Sequence, residues 1–348
     1  MKNIKIYDND YNPITTLHEG EFNDARHLKR FHQIGDCRFT VRLDNEKINN
    51  ESTKLFNRVE IIEDGSVRFI GLITRKNISL NTATIMCREL TYILRKRLVD
   101  NEFTLNDTTE NALNGLLTYI NNVEDTGIRA GDMSNAVGEV NVTYNRKNAF
   151  DILREIVEGT GNEFRLNEDG DIDVAENIGD DKTDSVVLRY ERDLPNASTL
   201  ISFDIEESGE DLTTKVYGKS KELTGDYEDV SLVEDFGLLE RFKNYRTIED
   251  QDTLDNFIKK DIIGKLHSPS VELIPEIDTD FDIGDDIRFI LKNEIVDLDE
   301  TFKVTQKVVQ YRQGGQVSIN LKVDDLPNYL AEKLADKERR ISLLEQEI

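Results

Sequence analysis

Tryptophan is absent from this chain of 348 residues, and cysteine (2), methionine (3), histidine (4) and proline (5) are scarce. Each scarcity closes off a class of function. With no tryptophan and only 7% aromatics, exposed platforms for stacking sugar rings are poorly supplied. Four histidines leave few candidates for a His-based catalytic dyad, and no G-x-S-x-G, H-E-x-x-H or P-loop spacing occurs. Cys37 and Cys87 each sit in an apparent strand, at a spacing that matches no metal or redox motif, and are expected to be two unpaired, buried thiols. No stretch approaches the about 20 apolar residues of a membrane helix. The start, "MKNIKIYDNDYNPI", lacks the apolar centre of a signal peptide. A chain made in a cytoplasm, without stable membrane binding, is the expectation.

Acid is what the sequence has in excess. Seventy Asp and Glu against 44 Lys and Arg give a formal charge of -26, a field that repels polyphosphate backbones. A general nucleic-acid binder is therefore disfavoured. Apolar residues make up 37% and charged residues 33%, which fits folded domains with large solvated surfaces. The length exceeds what one hydrophobic core fills, so two or three domains are expected.

Hydrophobic periodicity organises the chain into a mainly β protein with an α+β insertion. A first small antiparallel β-barrel is expected over 1–100. Within it "CRFTVRL" alternates at period two, and "VEIIEDGSVRFIGLI" reads as a hairpin about Asp64-Gly65. Gly71, among large residues, marks a bulge or a close backbone approach. An α+β domain follows over 101–197. Its first helix has Asp107, Thr108 or Thr109 as N-cap and an apolar face of Leu113, Leu116, Leu117 and Ile120. Its second helix carries Phe150, Leu153, Ile156 and Val157 and leads into two short strands around Asp169-Gly170. A second β-barrel is expected over 198–326, interrupted by a helix at about 249–265 with Leu254, Phe257, Ile258 and Ile262 on one side. A C-terminal helix, 327–348, spaces Leu330, Leu334, Ile341, Leu344 and Ile348 as a coiled coil begins, with Lys337 in the one missing slot.

The two barrels share a plan. The step from Phe69 to Thr84 equals the step from Phe302 to Val317, and in each region a strand, a connection, a long strand and a closing strand succeed one another. Two sharper chemistries have bland counterparts. "DTDFDIGDD", counted from Asp278 as a calcium loop, puts Ile283 where glycine belongs and Phe289 where the bidentate glutamate belongs, so it reads as a turn opening the Ile287 strand. His27, His32 and Cys37 are zinc-type ligands, but five-residue steps share no helix face and no fourth ligand is near. No metal, cofactor or catalytic set is expected.

The order of parts resembles the N-terminal hub module of phage tail-tip proteins, the family of tail-associated lysins, prophage endopeptidase tail proteins and contractile-baseplate hubs. The phrases that carry it are "VEIIEDGSVRFIGLITRKN", "NAFDILREIVEGTGNEFRLNEDGDIDV", "LTTKVYGKS" and "FDIGDDIRFI", in that order, over about Met1 to Leu326. The resemblance implies a structural virion protein, not an enzyme: a homotrimer whose two barrels per chain offer six similar positions to a hexameric tail tube. Implied partners are a distal tail protein ring, the tape-measure protein, and tail fibres or receptor-binding proteins, with DNA only in passage. An acidic channel lining would keep that DNA from adhering, although acidity also simply keeps a large β protein soluble. Cell-wall hydrolase activity in the family belongs to domains downstream, and the coil stops mid-repeat at Ile348, so a longer natural protein is expected. The competing classes are a carbohydrate-binding surface module and the non-catalytic arm of a peptidoglycan hydrolase.

Overall fold

The computed structural model describes residues 2–99, 102–191, 199–209, 212–220, 222–245, 251–262, 266–273, 281–293, 297–311 and 317–324. The coil positions Leu330, Leu334, Ile341, Leu344 and Ile348 lie outside the described residues. Strands dominate. β1 (Lys2–Tyr7) and β2 (Pro13–His18) form a hairpin, β3 (Phe22–Arg30) leads to β4 (Asp36–Arg42), and β5 (Arg58–Glu63), β6 (Ser66–Ile78) and β7 (Thr82–Glu89) form a meander. A 3-10 helix, Leu90–Lys96, and the short β8 (Leu98–Val99) pass into the insertion.

The insertion comprises β9 (Phe103–Thr108), α1 (Thr109–Val123), β10 (Glu139–Tyr144), β11 (Lys147–Asn148), α2 (Ala149–Gly159), β12 (Glu163–Leu166) and β13 (Ile172–Ala175). Both helices stand where the periodicity places them. Thr108 takes the N-cap of α1, its hydroxyl accepting from the Asn111 N–H at 3.4 Å, and Asn148 caps α2 by accepting from the Asp151 N–H at 2.9 Å. Leu113, Leu116, Leu117 and Ile120 of α1 and Phe150, Leu153, Ile156 and Val157 of α2 are all buried in one core, together with Ile70 and Leu72 of the meander.

After β14 (Val187–Glu191) and β15 (Leu200–Ser208) come β16 (Lys215–Ser220), β17 (Leu223–Glu228), α3 (Val230–Phe236), β18 (Glu240–Asn244), α4 (Gln251–Lys260) and β19 (Leu266–Leu273). The chain closes on β20 (Asp286–Lys292), β21 (Asp297–Tyr311) and β22 (Val317–Asp324). It divides into two compact units, one of Met1–Ile201 with Glu272–Leu321, the other built on Ser202–Val271 with the residues from Lys322. In the second unit β16 lies between β17, antiparallel, and β18, parallel. Leu254 and Ile258 of α4 pack on Val216 and Tyr245. Phe257, placed on that same face by its spacing, is 44% exposed and meets the Tyr245 ring with centroids 6.0 Å apart.

In the first unit the strand order is β22-β21-β3-β4-β7-β6-β5-β1-β2, with β20 antiparallel on β21 and β14 parallel on β20. The two passages with a shared plan are thus the consecutive triples β5-β6-β7 and β20-β21-β22, and β3 pairs directly with β21. Asp64 (φ 50) and Gly65 (φ 92) are both left-handed, as the two-residue hairpin turn requires. Along β6 the register slips once between Val67 and Phe69, opposite Ile62 and Ile61 of β5, and once between Ile73 and Arg75 against β7, so the two bulges flank Gly71. Among the described residues no helix is long and apolar enough to cross a membrane.

A Cβ on Gly71 would lie 2.4 Å from the Arg88 carbonyl oxygen and 2.6 Å from the Phe69 ring, whereas one on Gly159 of α2 would meet nothing within 4 Å. Gly71→Ala is therefore expected to destabilise by about 1–3 kcal/mol through overpacking. Gly159→Ala is expected to be neutral or stabilising by up to about 1 kcal/mol. Urea denaturation of the two variants checks the contrast; equal midpoints would remove the packing role assigned to Gly71.

Candidate functional site

Phe281–Asp286, the turn that opens β20, sits where the insertion meets the sheet, and the side chains around it form a polar cluster. Register places Lys29 of β3 directly opposite Lys307 of β21. Like charges so opposed repel, and the turn supplies the remedy. Asp282 accepts from Lys29 at 2.6 Å, while Lys307 donates to the Phe281 carbonyl at 2.5 Å. Burial alone would raise the Asp282 carboxyl, but the two ammonium groups outweigh it and hold it at about 2. Burial pushes Lys307 down to about 8.

Asp285, 4% exposed, ties the turn to the insertion. Its carboxylate accepts from the Asp180 N–H at 2.9 Å and the Asp282 N–H at 2.8 Å, with Lys182 at 3.6 Å. Backbone contact is equally close: a Cβ on Gly179 would stand 2.2 Å from the Gly284 carbonyl oxygen, and both glycines have positive φ. Deeper still, Lys303 of β21 and Glu163 of β12 form an ion pair at 2.8 Å with side chains 1% and 9% exposed. Lys303 also donates to the Asn177 side chain and to the Ile178 carbonyl at 3.3 Å, and Glu163 accepts from the Ile178 N–H at 2.7 Å. Burial raises the Glu163 carboxyl; Lys303 and the Ile178 N–H pull it back only in part.

Above this seam lies a polar cleft of about 550 Å³ whose rim includes Arg68, Arg165, Glu168, Asp180 and Lys182. Its charges answer one another, as in Arg68–Glu168 at 3.6 Å. Such an arrangement can clamp two chain segments. It lacks a nucleophile beside a base, and among the described residues no three His, Cys, Asp or Glu side chains gather as metal ligands.

The residues singled out in the sequence are distributed differently. In "DTDFDIGDD" the carboxylates of Asp282 and Asp285 face lysines and backbone N–H groups; Asp278 and Asp280 lie outside the described residues. His27 and Cys37 are cross-strand neighbours on β3 and β4, but His32 turns to the insertion, where its Nε2 accepts from the Phe164 N–H at 3.4 Å. The zinc-type trio is thereby split. Glu163, Lys303, Lys29 and Lys307 carried no sequence signal as a group: they come from three segments far apart in the chain.

No family model and no curated protein matches the sequence. Solved structures do. The tail protein from Neisseria meningitidis MC58 superposes with a TM-score of 0.70 at 14% identity, covering 93% of this chain and 97% of its own. Prophage tail protein gp18 from Listeria monocytogenes EGD-e gives a TM-score of 0.66 at 13% identity, covering 98% and 99%. The Escherichia coli c3393 protein, a type VI secretion component described as similar to T4 tail proteins gp27 and gp5, gives 0.54 at 10% identity over 92% of this chain and 76% of its own. The fold is that of tail and hub-like proteins, mainly β with an α+β insertion, as the order of parts in the sequence implied.

Lys303→Met strands an ionised Glu163 in the interior and is expected to cost about 3–5 kcal/mol at neutral pH. The loss should shrink in acid, because a carboxyl whose folded pKa is raised stops penalising the fold once it is protonated in both states. Equal losses at pH 4 and pH 7 would rule this out. Glu89, buried at the end of β7, makes a second pH test: burial raises it from 4.5 to about 7, against the Gly35 N–H and Thr91 hydroxyl that it accepts from. Its unfolded form ionises first as pH rises, so wild-type stability should fall by about 3 kcal/mol between pH 4.5 and 7 relative to Glu89→Gln. Denaturation midpoints across that window report the difference.

Proposed function

We propose that this chain is a structural component of a phage-type tail tip: a homotrimeric hub that adapts a hexameric tail tube to threefold symmetry. The observation that carries this reading is the fold match to the Neisseria and Listeria tail proteins over 97% and 99% of their chains. A likeness that spans whole chains favours a shared architectural task more than a borrowed domain does. The two β-meanders per chain, β5-β6-β7 and β20-β21-β22, supply the doubling that three copies need to present six places.

In this reading the domains run 1–100, 101–197, 198–326 and 327–348, and Leu330, Leu334, Ile341, Leu344 and Ile348 form the threefold coil on the axis. The upper face docks on a distal tail protein ring and holds the tip of the tape-measure protein; the lower face carries fibres, receptor-binding proteins or a lytic domain. The work is mechanical. The buried ion pair and the paired charges about Asp282 serve it by holding the insertion rigidly on the sheet. The acidic balance of -26 suits a channel that DNA crosses without adhering.

Light scattering on the full chain tests the assembly state, with three times the chain mass as the expected result. A monomer at the highest concentration reached, both alone and mixed with the distal tail protein, would overturn the hub. Immunogold labelling of intact tails should place the chain at the distal end; label along the tube or on the capsid would count equally against it.

A further inference from the structure

The antiparallel register of β4 on β7 sets Cys37 directly opposite Cys87. Along the same two strands the Glu89 N–H donates to the Gly35 carbonyl at 3.0 Å and the Leu43 N–H to the Asn81 carbonyl at 2.9 Å. These bonds belong to pairs an even number of residues from Cys37 and Cys87, so the cysteines form a mutually hydrogen-bonded pair. Antiparallel geometry spaces the Cα atoms of such a pair about 5.5 Å apart. Disulfides span Cα separations of about 4.4–6.8 Å. Opposed residues also send their side chains to the same face, so the two thiols are cross-strand neighbours.

Both cysteines are free and buried, 1% and 2% exposed. Their row across the sheet continues with His27 beside Cys37 and Ile73 beside Cys87. Burial, helped by the ammonium groups of Lys29 and Lys307, holds His27 down at about 3, so it offers no cation to stabilise a thiolate; burial likewise raises the Cys37 thiol. In the closed sheet the pair is a protected dithiol.

We propose that Cys37 and Cys87 are an oxidative modification site, forming a cross-strand disulfide that clamps β4 to β7 when a small-molecule disulfide such as oxidised glutathione gains access. Access comes when the strands part or before they close. One cysteine thiolate attacks a sulfur of the oxidised glutathione, forming a mixed disulfide and releasing one glutathione. The second cysteine then attacks the protein-bound sulfur of that mixed disulfide and releases the other. The two thiol protons end on the two glutathiones, the protein pair is oxidised, and the reagent is reduced by the same two electrons. The bridge closes a loop that contains the whole β5-β6 hairpin, which restricts the unfolded chain more than the folded one. A chain leaving a reducing compartment would acquire it. None of this depends on a role in a tail.

The full chain, unfolded and refolded with oxidised glutathione, then alkylated under denaturing conditions, provides the test. The expected product has lost two hydrogens by intact mass, takes up no alkylating agent, migrates faster than the reduced chain, and melts several degrees higher. Cys87→Ser should instead retain one glutathione and show no increase in melting temperature. Two alkylatable thiols in the refolded wild type, glutathione on either cysteine, or a bridge to a second chain would overturn the proposal. A bridged chain melting no higher than the dithiol would overturn the clamp. Cys37→Ala with Cys87→Ala serves as the folded control, whose melting must not respond to the oxidant.

Discussion

The pairing of β3 with β21 is the constraint on which the first unit depends. Six residue pairs, from Arg30 opposite Gln306 to Ala25 opposite Tyr311, join strands that begin near opposite ends of the chain. Closing so long a loop is less costly than its length implies, since each doubling adds only about 0.6 kcal/mol. Against this stand Leu28, Val309 and Tyr311, buried at the join, each contributing on the order of 1.5–3 kcal/mol. Burial wins, and the two meanders become parts of one sheet.

That join creates an electrostatic problem and sets where it is solved. Opposed Lys29 and Lys307 would repel, so the neighbouring turn places Asp282 against one and the Phe281 carbonyl against the other. A few residues away on the same strand, Lys303 reaches the insertion through Glu163, Asn177 and Ile178. Buried pairs of this kind add little net stability compared with apolar packing, but they penalise any other arrangement of the segments they join. The insertion is therefore held in one pose by polar specificity and in bulk by the apolar core that α1 and α2 share with Ile70 and Leu72.

Local features were legible in the sequence to the degree that local physics governs them. The Asp64-Gly65 hairpin, the capped and amphipathic α1 and α2, the β12-β13 pair and the crowding at Gly71 all follow from turn chemistry, periodicity and side-chain volume within short windows. The segment from Leu223 to Asn244 was not legible. β17 reads Leu-Thr-Gly-Asp-Tyr-Glu, with a weak alternation and a glycine, and α3 buries none of its residues, so neither carries the pattern that burial writes. Phe257 shows the converse, a residue with the right spacing that the packing of α4 leaves half outside.

By itself the sequence determined the mainly β class of the fold, both helices of the insertion and the absence of any spacing typical of catalytic or metal motifs, because each is written in periodicity and spacing over short windows. Only the tertiary structure decided which distant groups meet. It set Lys303 on Glu163, Asp282 on Lys29, and Cys37 opposite Cys87, two thiols whose sequence spacing marked them as unrelated. Register is the physical reason: a slip of one residue sends every side chain of a strand to the other face, and the register of strands so far apart in the chain is fixed by the whole sheet.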